Sequence, residues 1–311
     1  MSTKPPVLIT GATGGLGRNT AHALASRGRN LIIGGRREAA VVELCAELQR
    51  DHGVEARPFV ADLANLADLR RALVELGEVP LRGIVANAGI TTIKDLRSAE
   101  GFELTFAVNV LAHQLLLCAL ADQLVDHARV VVIASGVHLP DNKLARRTGV
   151  PVPRWVGTRA LAEPDRADPK QRLGPGPQRY STSKLGNVIQ ARGLQRALRA
   201  RGREVDVFAL DPGLMVDTDL ARELPRPLMW VFRAIGRMLT PLIDNMRLST
   251  VSAAHIASLI EDPRWQGEGF AYLDGDRVRP PSDDAQREDL LVELWREASA
   301  LVGLEPQALP I

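Results

Sequence analysis

The sequence predicts an α/β protein built on a single doubly wound parallel sheet, in which helices cover both faces of the sheet. Along residues 1–135, short apolar runs alternate regularly with amphipathic stretches. The apolar runs are continuous, which is typical of parallel strands that are buried on both faces. The 311 residues are 45% hydrophobic, so the chain can bury one large core without disulfides or metals. We therefore expect one α/β domain over residues 1–311.

The individual elements follow from the periodicity of the apolar residues and from the glycines that end helices. Glycines at positions 28, 53 and 77 follow the first three amphipathic stretches, as is common after a helix. Residues 138–178 interrupt the rhythm with seven of the 20 prolines, and we expect a long, mostly irregular insertion there. The expected strands are 7–10, 31–33, 54–60, 81–86, 129–134, 205–210 and 269–273, and the expected helices are 16–27, 38–52, 66–76, 101–125, 180–201, 248–260 and 283–302.

A glycine-rich turn, Thr10-Gly-Ala-Thr-Gly-Gly-Leu-Gly17, joins the first predicted strand to the first helix. Glycines allow the chain to turn sharply, to approach a pyrophosphate and to pack the helix against the strand. The start of the helix then presents unpaired N–H groups to the anion. Because the turn lies between a strand and a helix, it predicts a dinucleotide site rather than a plain structural turn. The expected contacts are Gly11, Thr13, Gly15, Leu16 and Gly17.

The end of the second predicted strand, Gly34-Gly-Arg-Arg37, indicates which dinucleotide is bound. NAD enzymes usually carry an acidic residue about 20 residues after the glycines, where it holds the ribose 2′-hydroxyl. This chain has no acid there, and a guanidinium suits a 2′-phosphate. We therefore expect NADP(H), with Arg36 as the main contact and Arg18 as a further candidate. The alternative is that the two arginines at 36 and 37 are solvated residues at a helix start.

Four polar residues predict acid–base chemistry. Tyr180 and Lys184 begin a helix, and their i,i+4 spacing puts them on one face. A neighbouring ammonium, together with the positive nicotinamide of an oxidised cofactor, favours the phenolate, so we expect Tyr180 to exchange a proton at neutral pH. Ser135 ends the fifth strand at the ligand-binding edge, and Asn109, in mid-helix, is expected to hold a water that feeds Lys184. Each has a bland alternative when taken alone: a chance spacing, a turn serine and a structural asparagine.

Taken together, these motifs resemble the short-chain dehydrogenase/reductase superfamily, whose Rossmann fold is doubly wound. The resemblance covers nearly the whole chain, and the motifs come in the family's order. It adds further expected cofactor contacts, which are Asp62, Leu63, Asn87, Ala88, Gly89, Pro212, Gly213 and Thr218. The chain looks most similar to the branch of protochlorophyllide reductase and the retinol dehydrogenases. It departs from the light-dependent reductase at Leu214, where that enzyme has a cysteine after its Pro-Gly pair.

The resemblance implies a mechanism and leaves two alternatives. It implies pro-S hydride transfer, with Tyr180 exchanging the proton and Lys184 holding the nicotinamide ribose. Ser135 would orient the substrate oxygen and Asn109 would position a relay water. No metal is expected, because no cluster of ligating side chains is visible in the sequence. The alternatives to a dark carbonyl reductase are a silent NADP-binding sensor or scaffold, and a light-dependent reductase of a C=C bond.

The expected substrate is a lipophilic or bulky carbonyl or alcohol. Residues 221–246 would form a substrate lid, because segment 227–239 is rich in Met, Trp and Phe, as ligand pockets often are. The same segment could instead be a core helix, or a helix on a membrane surface between Arg233 and Arg237. His138 either touches the substrate or is a satisfied loop residue.

Composition excludes several classes of function. A net charge of +2 does not favour nucleic acid, and no window of about 18 residues is continuously apolar. We expect a cytoplasmic protein without a signal peptide, with peripheral membrane contact as an alternative. Cys45 and Cys118 are expected in the core rather than in a disulfide. A homodimer or homotetramer through helices 101–125 and 180–201 is expected from the resemblance, unless the insertion blocks it.

Overall fold

The computed structural model describes residues 4–174, 176–215 and 246–304. Their strands are β1 (Val7–Ile9), β2 (Leu31–Gly35), β3 (Ala56–Val60), β4 (Leu81–Ala86), β5 (Leu124–Ile133), β6 (Asp206–Asp211), β7 (Leu214–Met215), β8 (Met246–Arg247), β9 (Phe270–Asp274) and β10 (Arg277–Arg279). Their helices are α1 (Gly15–Ala25), α2 (Glu38–His52), α3 (Leu66–Leu76), α4 (Leu104–Gln123), α5 (Lys143–Arg147), α6 (Thr158–Ala162), α7 (Pro177–Ala200), α8 (Ser249–Glu261), α9 (Asp283–Gln286) and α10 (Glu288–Leu301).

The central sheet has eight strands in the order β10-β9-β6-β5-β4-β1-β2-β3. All of its pairings are parallel except the last, where β10 returns antiparallel to β9. The chain runs outward from β1 to β3 and then continues on the other side from β4, so the direction of winding switches between β1 and β4. This arrangement confirms the predicted fold class. The carboxyl ends of β1 and β4 are where such sheets bind ligands.

Alternate residues of the strands serve two separate cores. Leu8 of β1 packs with α3, α4, α7 and α10 on one face of the sheet. Val7 and Ile9 pack with α1, α2 and α8 on the other face. Successive side chains of a strand point to opposite faces, so a continuous apolar run is needed wherever both faces are covered. This is the physical reason for the apolar runs in the sequence.

Several predicted elements differ in extent from the observed ones. Helix α4 contains a π-helical segment, Ala107–Leu111, between its α-helical parts. The predicted C-terminal helix is two helices that meet at Arg287, and the edge strand β10 was not predicted. Strand β5 starts at Leu124 rather than at residue 129. Residues 138–178, expected to be mostly irregular, hold the short helices α5 and α6.

Helix α7 lies deep in the molecule because two glycines on one side of it receive tryptophan rings. A Cβ atom on Gly193 would lie 2.5 Å from Cε3 of Trp295 in α10. One heptad earlier, a Cβ on Gly186 would lie 3.1 Å from Val110 and 3.7 Å from the ring of Trp155 in the insertion. The last helix and the insertion thus cover part of α7, the helix on which Tyr180 lies. The expected homodimer or homotetramer stays a prediction.

One described helix, α4, is long and apolar enough to cross a membrane by length and composition. In this structure 83% of its 18-residue apolar window is buried inside the protein, as in the core helix of a globular fold. Both cysteines are free thiols: Cys45 is buried in the core, and Cys118 packs against the core while partly exposed. Burial raises the pKa of both thiols, which disfavours the thiolate form in each.

Candidate active site

A cavity of about 530 Å³ opens at the carboxyl ends of β1, β2, β4, β5 and β6, at the switch in winding. The glycine turn forms one side of this cavity, and the start of α7 forms another. Most residues that the sequence singled out line it: Gly11, Thr13, Gly15, Leu16, Gly17, Arg36, Asp62, Leu63, Asn87, Ala88, Gly89, Ser135, Tyr180, Lys184, Pro212 and Gly213. Thr218 and segment 227–239 lie outside the described residues, as does nearly all of 221–246.

The glycines of the turn do different work. Gly11 has a φ of +63°, which favours glycine, and a Cβ on it would lie 2.9 Å from the Ala88 backbone. A Cβ on Gly17 would overlap the carbonyl oxygen of Gly11 and lie 2.6 Å from the Asn87 amide nitrogen. A Cβ on Gly14, in contrast, would have no atom of the described residues within 4 Å, although Gly14 lines the cavity. Gly14 therefore leaves room for a ligand, and Gly17 leaves room for the protein itself.

Asn87 explains how the end of β4 holds this turn. Its side-chain amide donates to the carbonyl oxygens of Thr10 and Gly11, at 2.8 and 3.2 Å. In return, the hydroxyl of Thr10 accepts from the backbone N–H groups of Asn87 and Ala88, at 3.0 and 2.9 Å. Four hydrogen bonds thus join the turn to the end of β4, so contacts within the protein hold the turn in its shape.

The end of β2 carries the residues expected to recognise a ribose phosphate. A Cβ on Gly35 would lie 2.8 Å from Val41 and 2.9 Å from Thr13, so the position that an acidic residue would need is already filled. Arg36 is exposed and lines the cavity. Arg18 does not line it, because its guanidinium pairs with Glu47 on α2. Of the two arginine candidates, the structure brings only Arg36 to the cavity.

Tyr180, Ser135 and Lys184 converge on the opposite side of the cavity. Tyr180 lies in the first turn of α7, and its phenol hydrogen-bonds with the Ser135 hydroxyl at the end of β5. The Lys184 ammonium lies 5.7 Å from the centre of the tyrosine ring. It donates to the carbonyl oxygen of Ile133 at 2.8 Å and to Oδ1 of Asn187 at 3.2 Å. The helix spacing thus places the two groups side by side, as the sequence predicted.

Burial controls the charges of this pair. It lowers the pKa of Lys184 to about 8, against the opposing effect of the Asp211 carboxylate. Burial also raises the pKa of Tyr180; Asp211 adds to this rise, and the hydrogen bond from Ser135 opposes it. The sequence led us to expect that the ammonium and the nicotinamide of an oxidised cofactor together favour the phenolate, and this stays a prediction. In the protein alone burial is the largest influence on the pKa of Tyr180, and the phenol is protonated at neutral pH.

Two expected contacts lie beneath the cavity and not in it. The side chain of Asn109 is buried, accepts from the Ile90 N–H at 2.8 Å, and donates to Ile90 O and to Ser183 Oγ. His138 donates from Nδ1 to the Ser135 carbonyl oxygen at 2.7 Å, and its Nε2 accepts from the Ser282 N–H. His138 is therefore a satisfied buried residue that supports the loop of Ser135, and it does not line the cavity.

Sequence reasoning missed part of the lining and two supporting residues. The cavity is also lined by apolar side chains from α4, the insertion and β7, namely Leu104, Val108, Val137, Ala145, Val150, Leu214 and Met215. Asn187 bonds Lys184, and His113 bonds the backbone carbonyl of Asn109. The only sequence signal for these two supporting residues is that each lies one helical turn after the residue it bonds. Among the described residues, no group of three or more His, Cys, Asp or Glu side chains could hold a metal ion.

The switch point, the turn and the cavity define a dinucleotide-binding α/β protein. A family model described as short chain dehydrogenase matches residues 6–143. Polyprenol dehydrogenase of Mus musculus is 32% identical over 96% of this chain and 87% of its own length. Retinol dehydrogenase 13 of Homo sapiens is 30% identical over 96% of this chain and 85% of its own length. The chain therefore belongs to the short-chain dehydrogenase/reductase family of oxidoreductases, on its retinol-dehydrogenase-like branch.

A solved structure shares the fold. The blue fluorescent protein from a metagenomic library, crystallised with NADPH, superposes with a TM-score of 0.60. It is 24% identical, and the match covers 88% of this chain and 98% of that protein. At this level of identity the likeness supports the architecture alone.

Proposed function

We propose that this protein is an NADP(H)-dependent oxidoreductase that interconverts a lipophilic alcohol and its carbonyl compound, with Tyr180 as the proton-exchanging group. The observation that carries the proposal is the shared cavity. A neutral, half-buried phenol bonded to Ser135 and flanked by Lys184 faces the same 530 Å³ space as the glycine turn. In the reduction of a carbonyl group, hydride adds to the carbon and a proton to the oxygen. A cofactor held at the glycine turn would supply the hydride, and Tyr180 would supply the proton from the other side of the cavity.

The choice of NADP(H) rests on the end of β2. Gly35 is crowded by Thr13 and Val41, so this position offers no acidic side chain to a ribose 2′-hydroxyl. Arg36 supplies an exposed guanidinium at the rim of the cavity, where a 2′-phosphate can be bound by charge-assisted hydrogen bonds. The structural neighbour crystallised with NADPH supports the same cofactor.

The protein's own groups supply the acid–base part of the reaction. Bound NADPH would supply the hydride. Tyr180 is protonated, so it can donate a proton to the oxygen of a carbonyl substrate that is being reduced. In the protein alone the single O–H of Ser135 is used on Tyr180, and with a carbonyl substrate bound it would donate to the substrate oxygen instead. Lys184 stabilises the phenolate that forms, because a positive charge beside a buried anion offsets its desolvation.

The lining of the cavity supports a lipophilic substrate. Apolar residues of α4, the insertion and β7 line the cavity that Ser135 also lines, and among the described residues only Asn142 and Thr148 add polar groups from the insertion. A polar or charged substrate would lose its hydration there without compensation. The names of the two relatives, polyprenol dehydrogenase and retinol dehydrogenase 13, point to the same class of long, apolar alcohols.

Tyr180→Phe tests the chemistry. We expect turnover of lipophilic carbonyls with NADPH to fall about 10²- to 10⁴-fold, the usual worth of general acid catalysis, while NADPH binding persists. Tyr272→Phe is the control for removal of a phenol hydroxyl, because Tyr272 is buried, its hydroxyl has no hydrogen-bond partner among the described residues, and it does not line the cavity. Equal turnover by the wild type and the Tyr180 variant would refute the proposal, as would a wild type that binds NADPH but reduces no member of a broad carbonyl panel.

Arg36→Ala tests the cofactor. A charge-assisted hydrogen bond contributes about 1.5–3 kcal/mol, so the Kd for NADPH should rise roughly 10- to 100-fold while the Kd for NADH stays unchanged. Arg37→Ala is the control, since Arg37 is exposed and lies outside the cavity lining. Tighter binding of NADH than of NADPH by the wild type would overturn this part of the proposal.

A further inference from the structure

A buried chain of amides lies behind Lys184, on the side away from the cavity. The Lys184 ammonium has three N–H donors. Two are held by the protein, one by the carbonyl oxygen of Ile133 at 2.8 Å and one by Oδ1 of Asn187 at 3.2 Å. The remaining donor is left for the cavity that Lys184 lines.

The orientation of the Asn187 amide is dictated by its second partner. Its Nδ2 donates to the backbone carbonyl oxygen of Asn109 at 2.6 Å. A carbonyl oxygen only accepts, so the nitrogen of Asn187 must face Asn109 and the oxygen must face Lys184. Asn109 lies in the π-helical segment of α4, where the displaced helical hydrogen bonds leave a carbonyl oxygen accessible to side chains.

His113 reinforces the same carbonyl from the other direction. Its Nδ1 lies 3.1 Å from Asn109 O and its Nε2 lies 3.1 Å from the Thr10 hydroxyl. Burial lowers the pKa of His113 to about 4, so the ring is neutral, with the proton on Nδ1 facing the carbonyl. The Asn109 carbonyl thus has two fixed donors, and the network continues to the glycine turn through Thr10.

We propose that Asn187 is the positioning residue of Lys184, and that its amide takes the place of the relay water expected between Lys184 and Asn109. This inference rests on the proposed function, in which charged Lys184 supports Tyr180. Asn187 and Ile133 together hold the ammonium in one orientation and leave a single N–H toward the cavity. Truncating Asn187 would free the ammonium and remove one acceptor that favours its charged form.

The amide has a second consequence for proton movement. A water between two polar groups can accept one proton and release another, whereas a neutral amide does neither near pH 7. The link from Lys184 to Asn109 therefore transmits hydrogen bonding but no proton. The proton that Tyr180 gives up must be replaced from the cavity side, through the N–H of Lys184 that remains there or directly from solvent at the mouth.

The charges around Lys184 determine the direction of the expected pH effect. Asp211 on β6 faces it with a carboxylate, Tyr180 on α7 is neutral, and His113 on α4 is neutral. Loss of the Asn187 oxygen removes an acceptor of the ammonium and so lowers the pKa of Lys184 further. A carboxylate in its place raises that pKa. Because charged Lys184 supports Tyr180 in the proposed function, the high-pH limb of activity should move with the pKa of Lys184 in both Asn187 variants.

The experiment compares Asn187→Leu and Asn187→Asp with the wild type, by the pH dependence of kcat/KM for a lipophilic carbonyl with NADPH. We expect the high-pH limb to move down by about one pH unit in the leucine variant and up in the aspartate variant. Gln190→Leu is the control. Gln190 is a buried amide one turn further along α7 that bonds Val110 O and Gln114, without touching Lys184.

A wild-type pH profile in both Asn187 variants would overturn the inference, and so would an equal shift in Gln190→Leu, since that would be a general packing effect. If Asn187→Leu does not fold, Asn187→Asp decides alone, and an unchanged or lowered limb overturns the inference. A Lys184→Met variant keeps the two proposals apart. Undiminished turnover in Lys184→Met would reject the proposed function itself, whatever the Asn187 variants do.

Discussion

Two glycines of the same turn should respond in opposite ways to the same substitution. In Gly17→Ala the new methyl group would overlap the backbone carbonyl oxygen of Gly11 and crowd the Asn87 amide at 2.6 Å. Neither neighbour can step aside, because the first is main chain and the second holds the turn through two hydrogen bonds. In Gly14→Ala the methyl group meets no atom of the described part of the chain within 4 Å.

The size of the effect follows from opposing contributions. Overpacking of a rigid site costs about 3 kcal/mol, at the upper end of the usual range. Alanine is better than glycine inside a helix by about 1 kcal/mol, and Gly17 lies in α1. The net loss is about 2 kcal/mol, which lowers the melting temperature of the free protein by roughly 4 °C at this chain length. In Gly14→Ala, alanine is the poorer N-cap residue, but it also lowers the conformational entropy of the unfolded chain. These two effects on the free energy of unfolding have opposite signs and sum to about zero.

Thermal unfolding of the free protein, followed by NADPH titration of each variant, separates the two cases. Gly17→Ala should melt early. Gly14→Ala should melt with the wild type and yet bind NADPH at least roughly tenfold more weakly, because its methyl group occupies space meant for the pyrophosphate. A wild-type melting temperature for Gly17→Ala, or wild-type NADPH affinity for Gly14→Ala, would refute this account of the turn.

Two further predictions concern the core. In Gly193→Ala the methyl group meets the Trp295 ring at 2.5 Å, so the free energy of unfolding should fall by about 1 kcal/mol despite the gain in helix propensity. Adding Trp295→Leu should remove that loss, as measured by thermal unfolding. A Gly193→Ala variant more stable than the wild type would contradict this prediction. His113 is neutral when folded, with a pKa of about 4, and binds a proton near pH 6.5 when unfolded. Stability should therefore be lost as pH falls from 6.5 to 4, by about 3 kcal/mol, and denaturant titrations should find this slope reduced in His113→Gln but retained in the exposed control His127→Asn.

The candidate catalytic and cofactor residues could be predicted from the sequence because each follows from a local pattern. The strand ends carry Ser135 and the glycine turn, and parallel strands bring their carboxyl ends to one edge of the sheet. A helix places Tyr180 beside Lys184 through a spacing of four residues. Burial settled what the local patterns left open. It raises the pKa of Tyr180 in the protein alone, the side chain of Asn109 bonds within the protein, and His138 is the satisfied loop residue that was one of its two alternatives.

The supporting residues could not be predicted, because contacts between distant segments define them. Asn187 bonds Lys184 and, across 78 positions, the carbonyl of Asn109, which lies in the π-helical segment of α4. Trp295 reaches Gly193 from the last helix. The sequence by itself determined the sheet, the cofactor turn and the reacting pair, since periodicity and short spacings encode them. Only the tertiary structure decided how that pair is buried, oriented and charged, since desolvation and hydrogen bonding depend on everything that packs around it.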